Sequence, residues 1–312
     1  MQETDKQNHK SGLNDQVDLL ELAKILFNGK WIIITITAMA SIFGVIYSLS
    51  LPDIYQSKAI MTPSNNSNSN ISRSMQNYAG LAGLAGISIP SGADNALSSQ
   101  AIQKLNTLSF FENNILPNIF LPDLVALESF DLNTNTLIYD QSIYIKESNK
   151  WVRNLSYPGT QAPSAQESFE NFRGHLQISE DKKTGFITLK VKHLSPFIAK
   201  EWADLLVSEV NNFYRQKDKS ESQRAISFLN KQITSTNLSE IKEAISQLLQ
   251  EETKKLTFIE ANKSYVFEYI DPPAVMEKKS EPVRSTICIL VALFGFMASI
   301  FLVFLRHYFQ RK

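Results

Sequence analysis

Four histidines, His9, His175, His193 and His307, are the first residues whose type could do chemistry. An imidazole titrates near neutral pH and ligates metals, but a zinc site needs three or four ligands at close spacing. His175 and His193 flank a predicted hairpin and can approach each other. No third ligand stands at a recognisable spacing, so surface or hydrogen-bonded strand residues are the plainer reading. The chain contains no H-E-x-x-H, no G-x-S-x-G and no D-x-[DN]-x-[DN]-G. Gly80, Gly83 and Gly86 recur every third residue, which is neither a dinucleotide fingerprint nor a phosphate loop, and reads as small-residue packing. Glu251 and Glu252 sit in a helical pattern and read as a solvated face, not as an acid/base pair. Trp151 and Trp202 offer ring faces to a sugar, yet core or interface packing is the better-supported role. Cys288 is the single cysteine, which excludes a disulfide framework and Cys-rich zinc. The 31 basic and 31 acidic residues cancel, so a strongly basic nucleic-acid binder is excluded as the default. No catalytic, cofactor-binding or metal-binding residue is expected, and no cofactor.

The elements around these residues are dominated by two apolar runs. Trp31–Pro52 (WIIITITAMASIFGVIYSLSLP) and Ser285–Leu305 (STICILVALFGFMASIFLVFL) carry no charge, and Lys30, Asp53, Arg284 and Arg306 bound them sharply. A run of this length spans roughly 32 Å as a helix, enough to cross a hydrocarbon core. Both are expected to be transmembrane helices, over 31–52 and 285–305. Ala38 and Ala40 give an A-x-A pattern, but the apolar run continues to Leu51, so an uncleaved anchor is preferred to a signal peptide. Two spans place 1–30 and 306–312 on one side and 53–284 on the other. Lys24, Lys30, Arg306, Arg311 and Lys312 lie outside the spans; Lys278, Lys279 and Arg284 lie on the loop side, where a long loop makes them count for little. Cytoplasmic termini are the preferred orientation. Ala40, Gly44 and Ser48 recur every fourth residue, as do Gly295 and Ser299, a spacing that lets helices approach closely.

Between the spans an α+β domain is expected. Residues 53–62 read as a strand, the Ser/Asn tract Pro63–Asn77 as a loop, and Ala96–Asn114 as one helix with Leu97, Ile102, Leu105 and Leu108 on its apolar face. Residues 137–146 and the surroundings of Trp151 read as strands or edge pieces, and Ser164–Phe172 as a short helix. Leu176 and Ile178, then Ile187, Leu189 and Val191, alternate about an EDKKTG turn, as in a hairpin. Ser195-Pro196 is a helix start, with a hydroxyl cap and a first-turn proline, for a helix running to about Ile233. Its stretch Arg215–Arg224 is polar all round, and Arg215, Lys217, Asp218, Lys219, Glu221 and Arg224 are candidate subunit contacts. Asn237 with Glu240 predicts a second helix start, and the helix runs to about Asn262. A helical arm over about 196–262 thus leaves an α/β base, and Ser264–Ile270 returns as a strand.

Three segments carry a family resemblance. VDLLELAKILFNGKWIII (Val17–Ile34), ISEDKKTGFITLKVKHLSPFIAKEWADLLVSEVN (Ile178–Asn211) and DPPAVMEKKSEPVR (Asp271–Arg284) resemble the entry to the first membrane helix, the hairpin with its long helix, and the proline-rich approach to the second membrane helix in Wzz-type polysaccharide co-polymerases. Pro273, Ser280 and Pro282, then Gly295 and Ala298, are matched to the family's positions around the second membrane helix. The resemblance implies an inner-membrane, two-pass protein with cytoplasmic termini and a periplasmic domain. It implies a homo-oligomeric ring, sometimes coiled-coil in its arm, that works among membrane lipids with a Wzy-type polymerase on an undecaprenyl-linked glycan. It implies a regulator of chain length for O-antigen of lipopolysaccharide or a related glycan, and not an enzyme. Only RHYFQRK follows the second span, so the form without a kinase domain is expected. The alternatives are a membrane-anchored extracytoplasmic sensor, which needs a cytoplasmic relay, and a periplasmic glycan enzyme, which needs a convergent acid/base pair.

Overall fold

Alternating burial along Tyr55–Pro63 (β1) follows from its sequence, YQSKAIMTP: Tyr55, Ser57, Ala59 and Met61 point inward. The computed structural model describes residues 19–64, 93–155, 159–262 and 264–310. The readings of Gly80, Gly83 and Gly86, of most of the Ser/Asn tract, of the chain up to Asp18, and of Arg311 and Lys312 lie outside these residues. The chain divides into two compact units, Met1–Pro52 with Glu281–Lys312, and Asp53–Ser280.

In the larger unit the elements are β1, α3 (Ala93–Leu105), α4 (Leu121–Val125), β2 (Leu127–Asp131), β3 (Thr136–Tyr139), β4 (Tyr144–Ile145), β5 (Lys150–Trp151), α5 (Ala165–His175), β6 (Leu176–Glu180), β7 (Ile187–His193), α6 (Pro196–Ser235), α7 (Ser239–Ala261) and β8 (Phe267–Asp271). The class is α+β. The main sheet has the order β6-β7-β1-β8, antiparallel throughout. Ala59 pairs with Leu189, and Ile178 with Leu189 on the other side, so the buried faces of three strands coincide. Ala59, Met61, Ile187, Leu189 and Val191 pack beneath the first half of α6, whose Ile198, Trp202, Leu206 and Val210 are buried. The β6–β7 turn closes with Asp181 accepting from the Lys183 N–H and the Thr184 hydroxyl, and Gly185 takes the left-handed conformation (φ 70°) that favours glycine.

Several local expectations are corrected. The helix expected over 96–114 breaks after Leu105. Thr107 accepts from the Phe110 N–H and starts a new turn, followed by a π-turn at Phe111–Ile115, and Leu108 is left exposed. Strand β2 was not foreseen: LESFD lacks clean alternation and gains its place only by pairing with β3. Ser195 sits at the N-cap of α6, but its hydroxyl makes no capping bond; its backbone N–H donates to His193 Nδ1. Nor does Asn237 cap α7, because that helix begins one residue past Leu238. Ser164 does cap α5, accepting from the Glu167 N–H at 3.1 Å, while Glu167 pairs with Arg153.

In the smaller unit, α1 (Leu19–Asn28) leads into α2 (Lys30–Ser50), and α8 (Arg284–Gln310) returns. Helix α2 stops short of the expected Pro52, since the residue before a proline is driven to extended backbone, as Leu51 is (ψ 135°). Helix α8 instead runs five residues beyond Leu305, through RHYFQ. Both are long and apolar enough to cross a membrane. Ile42, Phe43, Ile46, Phe294, Met297 and Phe301 are exposed, a display of apolar surface that water does not tolerate and lipid does.

Candidate functional site

The small residues of the two membrane-length helices form a seam. Gly44 lies against Val291, and a Cβ added at Gly44 would sit 3.0 Å from the Val291 side chain. A Cβ added at Gly295 would overlap that of Ala40. One turn forward on α2 is thus one turn back on α8, which makes the pair antiparallel. Gly44, Ser48, Gly295, Ser299 and Val303 are buried in it. Ala298, placed beside Gly295 by sequence, is exposed outside the seam. Packing of this kind draws on van der Waals contact of close backbones, since lipid supplies no hydrophobic drive between helices. Gly295→Ala should lower the unfolding free energy by about 1–3 kcal/mol, whereas Ala298→Leu should stay within about 0.5 kcal/mol. Thermal melting of the detergent-solubilised chain tests this, and equal melting temperatures for the two variants would refute it.

The proline-bearing approach lies along the start of β1. The Ser57 hydroxyl donates to the Ala274 carbonyl at 2.9 Å, and the Ser280 N–H donates to the Ile54 carbonyl at 2.8 Å. Lys279 and Asp53 form an ion pair at 2.8 Å. Pro273 is buried, while Ser280 and Pro282 are half-buried; the Glu281–Pro282 peptide is cis.

On the arm, the polar stretch of α6 is partly used within the chain. Asp218 accepts from the Tyr265 hydroxyl, Lys219 pairs with Glu260 of α7 at 2.5 Å, and Arg215 donates to Asn212 at 2.6 Å. Lys217 lies over Tyr214, and Glu221 and Arg224 are exposed. No sequence motif marks Asn211. Its carboxamide accepts from the N–H groups of Val266 and Phe267 and donates to the Phe267 carbonyl, so it ties α6 to the returning strand β8.

At the base, His193 and His175 do come together, with ring centroids 5.8 Å apart, and both meet Trp202. Both ring nitrogens of His193 are engaged. Nδ1 accepts from the Ser195 N–H at 3.0 Å, so Nε2 carries the proton and donates to the Asp123 carbonyl at 3.0 Å. His175 Nδ1 donates to the Lys192 carbonyl at 2.7 Å. Burial pushes His193 down to about 4 and lowers His175 as well. Burial also raises Asp123, whose carboxylate accepts from the Tyr139 hydroxyl at 2.5 Å, and burial with that carboxylate raises Tyr139. Among the described residues no group of three potential ligands is placed to hold a metal. Trp151 packs against Tyr144 and Arg153, so its faces are taken up within the chain.

Residues 15–113 match the family model described as Wzz, chain length determinant protein. Among solved structures the chain is similar to a full-length bacterial polysaccharide co-polymerase, at 14% identity over 95% of this chain and 99% of that one, with a TM-score of 0.39. It is also similar to a fragment of WzzB, a polysaccharide co-polymerase from Salmonella Typhimurium, at 13% identity over 74% of this chain and 100% of that one, with a TM-score of 0.31. No curated protein sequence matches it. The matched segment, residues 15–113, runs from the approach to α2 through β1 and α3 and makes up about a third of the chain.

Proposed function

We propose that this protein regulates the chain length of a bacterial surface polysaccharide. The observation that carries the reading is the family segment at residues 15–113, set in a chain whose two membrane-length helices bracket an α+β unit. In this reading α2 and α8 cross the inner membrane, the termini (1–30 and 306–312) are cytoplasmic, and residues 53–284 are periplasmic. The chain assembles as a homo-oligomer and acts with a Wzy-type polymerase on an undecaprenyl-linked glycan such as O-antigen. Exposed Phe228, Leu238, Ile241, Leu248 and Phe258 on the arm support contacts to further copies, together with a groove of about 590 Å³ along Leu249, Thr253 and Phe258. The role is scaffolding rather than catalysis. Supporting this, three buried ionisable groups of the base, His193, Asp123 and Tyr139, are spent on hydrogen bonds to one another and to backbone.

The position of the second helix is the proposed lever on length. Ser280 ties the approach to the residue before β1, Pro273 and Pro282 flank Ser280 along the chain, and Gly295 sets the helix pair. Cells lacking the gene should still make polymer, with the modal length lost or broadened on a surface-polysaccharide gel. Pro282→Ala should broaden the mode in the same assay while the protein level is unchanged. Polysaccharides of unaltered length in the deletion strain would overturn the function, and an unaltered mode for Pro282→Ala alone would remove that residue from it.

A further inference from the structure

Where α2 begins and α8 ends, the two-helix unit holds a cavity of about 360 Å³. Among the described residues its ionisable lining is basic: Lys24 from α1, and Arg306 and His307 from the last turns of α8. Asn28 and Gln310 add amide donors. Among the described residues, none of the Lys24, Arg306 and His307 side chains forms an ion pair. The convergence depends on Gly29, where an added Cβ would stand 2.5 Å from Val303 Cγ1, so only a bare backbone lets the α1–α2 corner reach α8. Three basic groups with amide donors in one cavity suit a multivalent oxyanion such as phosphate.

Position identifies the carrier of that anion. The uncharged run of α2 starts at Trp31 and that of α8 ends at Leu305, so the cavity lies at the edge of the hydrocarbon-length surface, where lipid phosphates sit. Exposed Ile34, Phe301 and Leu302 continue from it as an apolar wall for acyl or prenyl chains. We propose that this cavity binds the phosphate headgroup of an anionic membrane lipid. The inference rests on α2 and α8 crossing a bilayer, and not on the chain-length reading.

The test uses the full chain in mild detergent, titrated by native mass spectrometry with phosphatidylglycerol, with a polyprenyl diphosphate, with neutral phosphatidylcholine and with inorganic pyrophosphate. Saturable binding of either anionic lipid is expected, with the tighter of the two identifying the physiological class. Lys24→Gln with Arg306→Gln should weaken it by about tenfold or more, and Lys24→Arg with Arg306→Lys should retain it. Lys30→Gln is the control for general charge, because Lys30 lies over the Phe27 ring outside the cavity, and should change binding by less than about twofold. If the double glutamine variant loses helicity or monodispersity, Asn28→Asp replaces it, since a carboxylate in the cavity must also weaken binding. Equal binding of phosphatidylcholine, equal loss in Lys30→Gln, or no loss in either cavity variant overturns the proposal. Pyrophosphate binding as tightly as the lipids overturns the lipid assignment in favour of a soluble phosphate. Lipid binding is read on the purified chain, so its failure is distinct from an unchanged polysaccharide length in cells.

Discussion

Replacing Trp202 by alanine lowers the unfolding free energy by about 3–5 kcal/mol, the cost of emptying a large aromatic site in a packed core. Trp202 is 3% exposed and stands where three elements meet. Its ring centroid lies 4.8 Å from that of His193 on β7, 5.5 Å from Phe172 and 5.9 Å from His175 on α5. Backbone elements on all three sides hold the cavity open, so little of the loss is recovered by collapse. The lost contacts also connect the arm helix to the sheet, because Trp202 is on the first turns of α6. Urea denaturation of the full chain in mild detergent, followed by circular dichroism, measures the effect. Lys231→Ala is the control: that side chain is exposed on the same helix and should change stability by no more than about 0.5 kcal/mol. A Trp202→Ala loss as small as that of Lys231→Ala would mean that the α6–sheet junction is not the centre of the core.

Acid should destabilise the protein through His193 before its exposed carboxylates titrate. In the folded chain His193 is held at about 4, against an ordinary 6.5, because burial penalises the charged ring. A second proton would have to enter at Nδ1, which already accepts from the Ser195 N–H at the start of α6. The sign follows from linkage. Above the unfolded value both states hold a neutral ring and the stability is complete. As the pH falls the unfolded chain takes up the proton first, so stability drops until the folded ring titrates near 4. The drop amounts to about 3 kcal/mol across that window. His175, also lowered by burial, adds in the same direction, while Asp123, raised by burial, opposes it at the acid end. Urea midpoints measured from about pH 7 to about pH 4 should show this slope, and His193→Gln should flatten it. Parallel slopes for the two proteins would assign the acid sensitivity to other groups.

Much of the plan is legible in the chain because it depends on short-range properties. Whether a run of some twenty residues suits lipid is a sum over those residues, so α2 and α8 need no partner to be recognised. The β6–β7 hairpin is equally local: alternation at Ile187, Leu189 and Val191 meets a turn whose Asp181 and Gly185 close it. Family words add to this at residues 15–113. Breaks and caps were less legible, because competing local bonds of similar strength decide them. Thr107 outcompeted the continuation of α3, and the Ser195 N–H went to the ring of His193 just before it in the chain.

By itself, then, the sequence determined the two membrane-length helices, the hairpin, the long helix after Pro196 and the absence of recognised catalytic motifs. Tertiary structure alone decided which side chains meet. Asn211 reads as one more polar residue on an amphipathic helix until β8 folds back and supplies two N–H groups and a carbonyl for it. Gly295 and Ala298 look alike as small membrane residues, yet only the first faces Ala40. Asp218 and Lys219 look solvated until Tyr265 and Glu260 arrive. Lys24 and Arg306 are far apart along the chain, and the antiparallel return of α8 across Gly29 is what brings them to one cavity. Periodicity states that a face exists; the partner that covers it is a long-range choice, made by the total free energy of packing rather than by any one segment.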